Sequence, residues 1–89
     1  AEGIPHPKGW PTRFPDAADR WARLRPATVE LAERLQLPVE NLIAPDALRR
    51  LAWEPPAPVT EASVDAFWAV EGVRPWQREL VVPVVTPLL

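Results

Sequence analysis

The chain has 89 residues, 47% of them apolar, with ten basic and twelve acidic side chains that leave a net charge of −2. That length suits one domain with one core of modest stability, and the charge excludes a broadly basic nucleic-acid binder, so any phosphate contact must come from a local patch. The lack of Cys excludes a disulfide framework and thiol chemistry, and no run reaches the roughly 18 apolar residues of a membrane span. The start, AEGIPHPKGW, has no apolar centre of the kind a signal peptide needs. A cytoplasmic chain, monomeric and away from membranes, is the expectation. There is no Met, not even at position 1, which reads as the mark of an excised domain or a processed chain.

Residues 1–15 carry Pro5, Pro7, Pro11 and Pro15 and two of the three glycines, a composition that resists helix and sheet and reads as an extended linker or arm. Trp10 and Phe14 are unusual in a linker and are expected to pack back on the domain. Asp16 is a good helix cap, and Trp21, Leu24, Thr28, Leu31 and Leu35 then recur at steps of three and four, which predicts an amphipathic helix over 16–36. Pro26 lies inside it, opposite the apolar stripe, and frees the carbonyl of Ala22, so the helix is expected to kink or to break near Arg25. Pro38 and Pro45 sit where a missing N–H costs nothing, at the first positions of helices over about 38–43 and 45–53. Leu48, Leu51 and Ala52 share a face of the second, and Pro55 and Pro56 stop it. Thr60 caps a helix over 61–70 whose core face is Val64, Phe67 and Trp68, with Gly72 as terminator. Pro75 starts a last helix in which Trp76, Leu80 and Val84 share the inward face while Val82 and Leu89 point away. The all-round apolar run from Leu80 leaves a strand open on composition, but Pro83 and Pro87 argue against one in a sheet centre. The predicted fold is all-α, a small orthogonal bundle of about five helices behind a Pro-rich arm.

Two stretches carry a family likeness. L-P-V-E-N-L at 37–42 followed by P-D-x-L-R-R-L-A-W-E-P-P at 45–56, and then G-V-R-P-W-Q at 72–77, resemble the helicase-and-ribonuclease-D C-terminal (HRDC) domain. The version that ends bacterial ribonuclease D-type 3′–5′ exonucleases is the one this run looks most like, and L-A-W-E-P-P favours it over the HRDC domain of a RecQ-type helicase. The resemblance covers roughly 16–89 and rests on packing motifs, so it implies the helical fold first. It also implies an accessory role, in which the domain helps to position RNA or single-stranded DNA for a nuclease on the same polypeptide. In that family the four acids that hold two divalent metals belong to the catalytic domain, whose motifs do not occur here.

No enzyme site assembles from these residues, and no cofactor is expected in this fragment. Asp16 with Asp19, and Glu30 with Glu33, lie close enough to imitate a metal pair, but solvated helix surface explains them. His6, the one histidine, sits between prolines and suits neither zinc nor a nucleophilic pair. No glycine-rich phosphate loop is present. What remains is arginine, nine of the ten basic residues, whose planar fork can give a phosphate two parallel hydrogen bonds. Arg74 and Arg78 flank Pro75–Trp76 at a helix start, where cations oppose the dipole and so are not placed for helix stability. With Trp76 as a stacking ring they are the first nucleic-acid-binding candidates, followed by Arg20, Arg23 and Arg34 along one edge of the first long helix. Binding of RNA or DNA would be weak and salt-sensitive. Docking against the catalytic domain or another protein is the competing role, favoured by the net charge and the apolar C-terminus. Trp53 is expected to pack on Pro55 and Pro56 with Arg49 over one side.

Overall fold

Helix ends in this chain are set by local chemistry that the structure shows directly. The computed structural model describes residues 4–89 as six α-helices: α1 (Trp10–Arg13), α2 (Pro15–Leu35), α3 (Val39–Leu42), α4 (Pro45–Trp53), α5 (Glu61–Val70) and α6 (Pro75–Val85). Short 3-10 turns at Pro7–Gly9 and Thr86–Leu88 flank them, and no strand occurs among the described residues. The all-α bundle is therefore the observed fold. Pro15, Pro45 and Pro75 each stand at the start of a helix, where the missing N–H is no loss. Thr60 caps α5 through a reciprocal pair: its hydroxyl accepts from the Ser63 N–H at 3.0 Å, and its own N–H donates to Ser63 Oγ at 3.0 Å.

Two helices end in the same way. At the end of α5, Gly72 has φ of +89°, the Val73 N–H reaches back to the Trp68 carbonyl and the Gly72 N–H to that of Ala69. This doubly bonded stop needs a left-handed residue. At the end of α2 the same place is held by Gln36, at φ 58°, with the Leu37 N–H on the Ala32 carbonyl and the Gln36 N–H on that of Glu33.

Three expectations need correction. Residues 7–13 are not extended. They form a 3-10 turn and then α1, and Trp10 is 0% exposed with its indole N–H donating to the Pro5 carbonyl at 3.0 Å. A proline-rich composition stays extended only while nothing holds it, and a buried tryptophan holds this segment against the bundle. Second, α2 begins at Pro15 with Asp16 in its first turn rather than at its cap, and it runs unbroken through Pro26 to Leu35. Pro26 and Ala22 both lie on the exposed face, so water can meet the freed carbonyl. Third, α6 is a helix followed by a 3-10 turn, but Val81, Val82 and Val85 are its buried residues, whereas Trp76 and Leu80 are 44% and 37% exposed. Of the predicted inward face only Val84 packs against the core, and Val82 and Leu89, expected to point away, lie in it or against it.

The core lies where α2 meets α1, α3, α4 and α6, with α5 packed on α6. Leu24, Leu31, Leu42, Ile43, Leu48, Leu51, Val64, Trp68, Val81 and Val85 fill it, each large aliphatic contributing about 1.5–3 kcal/mol by leaving water. Two further buried polar groups, besides the Trp10 indole, have partners. Thr28 Oγ1 donates to the Arg25 carbonyl at 2.9 Å, and the Trp68 indole donates to the Ala47 carbonyl at 3.0 Å, tying α5 to α4. The connection from α4 to α5 carries a cis Ala57–Pro58 bond.

Candidate nucleic-acid interface

The six residues singled out in the sequence separate into two groups once their hydrogen bonds are traced. Arg20, Arg23 and Arg78 are bound within the fold. Arg20 donates from Nε to the Ala52 carbonyl at 2.7 Å and from a terminal nitrogen to that of Trp53 at 3.2 Å, so it closes the C-terminus of α4 from across the bundle. That end carries unsatisfied carbonyls and partial negative charge, and a guanidinium answers both. Arg23 does the same for the chain end, with Nε on the Leu88 carbonyl at 2.8 Å. Arg78 pairs through Nε with Asp65 of α5 at 2.8 Å and donates to the Val73 carbonyl at 2.5 Å. Its side chain is only 19% exposed, and it fastens α6 to α5.

Arg74, Trp76 and Arg34 form the second group. Arg74 is exposed at the cap of α6, and its backbone N–H donates to Gln77 Oε1 at 2.8 Å. Gln77 in turn donates from Nε2 to the Asn41 carbonyl at 2.9 Å, which fixes the start of α6 against α3. Arg34 is exposed in the last turn of α2, immediately before the turn that leads to α3. The start of α6 is thus bonded to α3, and the end of α2 leads into α3. None of these three residues makes an ion pair or side-chain hydrogen bond among the described residues. The remaining ion pairs of the α4 region, Arg49 with Asp46 and Arg50 with Glu71 at 3.2 Å, are local or inter-element ties.

Sequence reasoning missed a second feature. Four aromatic rings form a continuous chain: Trp21 to Trp10 with centroids 6.1 Å apart, Trp10 to Trp53 at 5.6 Å, and Trp53 to Phe14 at 4.7 Å with planes 76° apart. Each such pair contributes about 0.5–1.5 kcal/mol beyond burial. Trp53 therefore finds Trp10 and Phe14 as ring partners, while no cation stacks on it among the described residues. The Arg13 guanidinium lies 5.7 Å from the Phe14 centroid. The outer end of the ladder opens into a cleft of about 530 Å³ lined by Arg13, Phe14, Asp16, Arg20, Trp53 and Glu54. The adjacent Arg13–Phe14 pair was the available signal, obscured because the segment reads as linker.

Among the described residues no group of three His, Cys, Asp or Glu side chains is close enough to hold a metal ion, and no helix is long and apolar enough to cross a membrane. Comparison with known proteins places this geometry. The family described as the 3′ to 5′ exonuclease C-terminal domain matches residues 3–89. A crystal structure of a protein from Bifidobacterium adolescentis is similar over 99% of the chain, with 30% identity and a TM-score of 0.82. The chain spans 21% of the length of that protein. No match was found among curated proteins. The family match takes in the segment that holds Trp10 as well as the five helices behind it: the chain belongs to the 3′ to 5′ exonuclease C-terminal domain family.

Proposed function

We propose that the domain is the non-catalytic accessory module of a ribonuclease D-type 3′–5′ exonuclease, and that it guides RNA or single-stranded DNA toward a catalytic domain on the same polypeptide. The observation that carries this reading is the exposed Arg74–Pro75–Trp76 corner at the start of α6. Trp76, 44% exposed, offers a ring on which a base can stack, and the adjacent exposed guanidinium of Arg74 can supply the phosphate contact. Arg34, exposed in the last turn of α2, is a further candidate phosphate contact. Arg20, Arg23 and Arg78 support the surface by holding elements of the bundle together.

The net charge of −2 makes the interaction weak, with Kd expected at about 10⁻⁴ M or higher at moderate salt. Fluorescence anisotropy of labelled single strands, RNA and DNA, titrated with the 89-residue chain at low and high salt, tests the reading. Binding that tightens at low salt, weakens in Arg74→Ala with a salt slope shallower by about 0.7, and weakens again in Trp76→Ala is the expected result. Absence of binding at low salt would leave the competing role, docking on the catalytic domain. The apolar row of Trp76 and Leu80 on the outer side of α6 favours that role.

A further inference from the structure

We propose that the cleft at the outer end of the aromatic ladder is a pocket for one unpaired nucleobase, selective for a guanine-type edge. The proposal rests on the nucleic-acid reading above only for the supply of a strand; the chemistry of the cleft is separate and lies away from α6. Three observations converge. Phe14 and Trp53 are half-buried, with ring planes 76° apart, so they present a face and an edge to the same space. A base stacks readily on such rings. Arg13 already lies against Phe14, so its guanidinium stands beside the ring, where it can meet the phosphate of a stacked base. The cleft volume of about 530 Å³ is ample for one nucleotide.

The charges of the cleft decide the ligand. Two arginines and two carboxylates line it, Arg13 and Arg20 with Asp16 and Glu54. A plain phosphate site would not tolerate both acids. A base with adjacent N–H donors uses them: the guanine edge offers an imino and an amino group side by side to a single carboxylate, as carboxylates accept from base amino groups elsewhere. Arg20 spends Nε and one terminal nitrogen on the Ala52 and Trp53 carbonyls, and its other terminal nitrogen makes no hydrogen bond among the described residues. With Arg13 it serves the attached phosphate. Glu54 is exposed, and its backbone N–H, not its side chain, serves the helix end. Its carboxylate therefore has no structural duty among the described residues.

The test uses the chain itself and two mononucleotides. Amide and indole N–H resonances are followed in a two-dimensional nitrogen–proton spectrum as guanosine and uridine monophosphate are added up to about 10 mM, the range in which single-nucleotide contacts are read. Guanosine monophosphate should shift the Trp53 indole and the amides of Arg13, Phe14, Asp16, Ala17 and Glu54, and should bind at least about fivefold tighter than the uridine form. Glu54→Gln should abolish the preference while keeping the binding, and Arg13→Ala should weaken both nucleotides about threefold or more. The unliganded spectrum of each variant reports that it is folded. No shift at these positions, equal affinity for the two nucleotides, or a preference unchanged in Glu54→Gln would overturn the proposal. Shifts confined to Arg74, Trp76 and Gln77 would overturn it too, while leaving the reading of the α6 corner intact.

Discussion

Trp10 and Trp76 exchange the places that the surrounding sequence suggests for them. Trp10 lies in a stretch of prolines and glycines, yet it is 0% exposed and its indole N–H has a partner. Trp76 stands at the head of an apolar helix, in step with Leu80 and Val84, yet it is 44% exposed. Periodicity identifies which residues share a face of one helix, but it does not say which face meets a neighbour. In α6 almost every side is apolar from Leu80 onward, so the choice of face falls to α2 and α5. There Val81, Val82 and Val85 fit the space and the tryptophan does not have to. In α1, four residues are too few to show any period, and a single large ring decides where the segment goes.

The comparison can be broken first at Trp10. Trp10→Ala should destabilise the domain by about 3–5 kcal/mol, because it opens a cavity and removes the middle of the ladder from Trp21 to Phe14. An 89-residue domain has roughly 4–13 kcal/mol to lose. Urea denaturation followed by circular dichroism reads the change, and a loss below about 1 kcal/mol would make residues 7–13 a peripheral arm after all. A smaller effect is expected at Arg20, which ties α2 to the end of α4 beneath the same ladder. Arg20→Ala strips two charged hydrogen bonds from the Ala52 and Trp53 carbonyls and should cost about 1.5–3 kcal/mol in the same denaturation experiment. An unchanged midpoint would show that Arg20 does not hold the end of α4. The smallest effect sharpens the contrast from the other side: Trp76→Ala should shift stability by no more than about 0.5 kcal/mol while lowering affinity for single strands. A thermal midpoint far below that of the parent chain would show that Trp76 is core.

The legible parts of this fold share one property, that their cause lies within a few residues. The bounds of α4 at 45–53 and α5 at 61–70 match the expectation, because Pro45, Thr60 and Gly72 act on their own helix ends. The stripe of Leu24, Thr28 and Leu31 is buried as its spacing implies. Leu35, at the end of that stripe, is 38% exposed, since the chain turns away at Gln36 before α3 can cover it. The candidate site was legible as a set of residue types but not as an arrangement. Nothing near Arg20 in the chain indicates that its partners are the carbonyls of Ala52 and Trp53, more than thirty residues away. Likewise nothing near Arg78 indicates Val73 and Asp65 as its acceptors rather than a phosphate. Arginine at a helix start is a binding residue or a fastener according to what the tertiary fold brings beside it.

Prolines at helix starts, a threonine cap and leucines in helical step were enough to determine an all-helical domain and most of its boundaries. Those effects act through the φ angle, the missing N–H and the side-chain period of a single segment. Tertiary structure alone decided which tryptophans are covered, which arginines close helix ends and where a half-open aromatic cleft appears. The reason is physical: burial and carbonyl capture are properties of two elements in contact, and each element carries only half of the information about that contact.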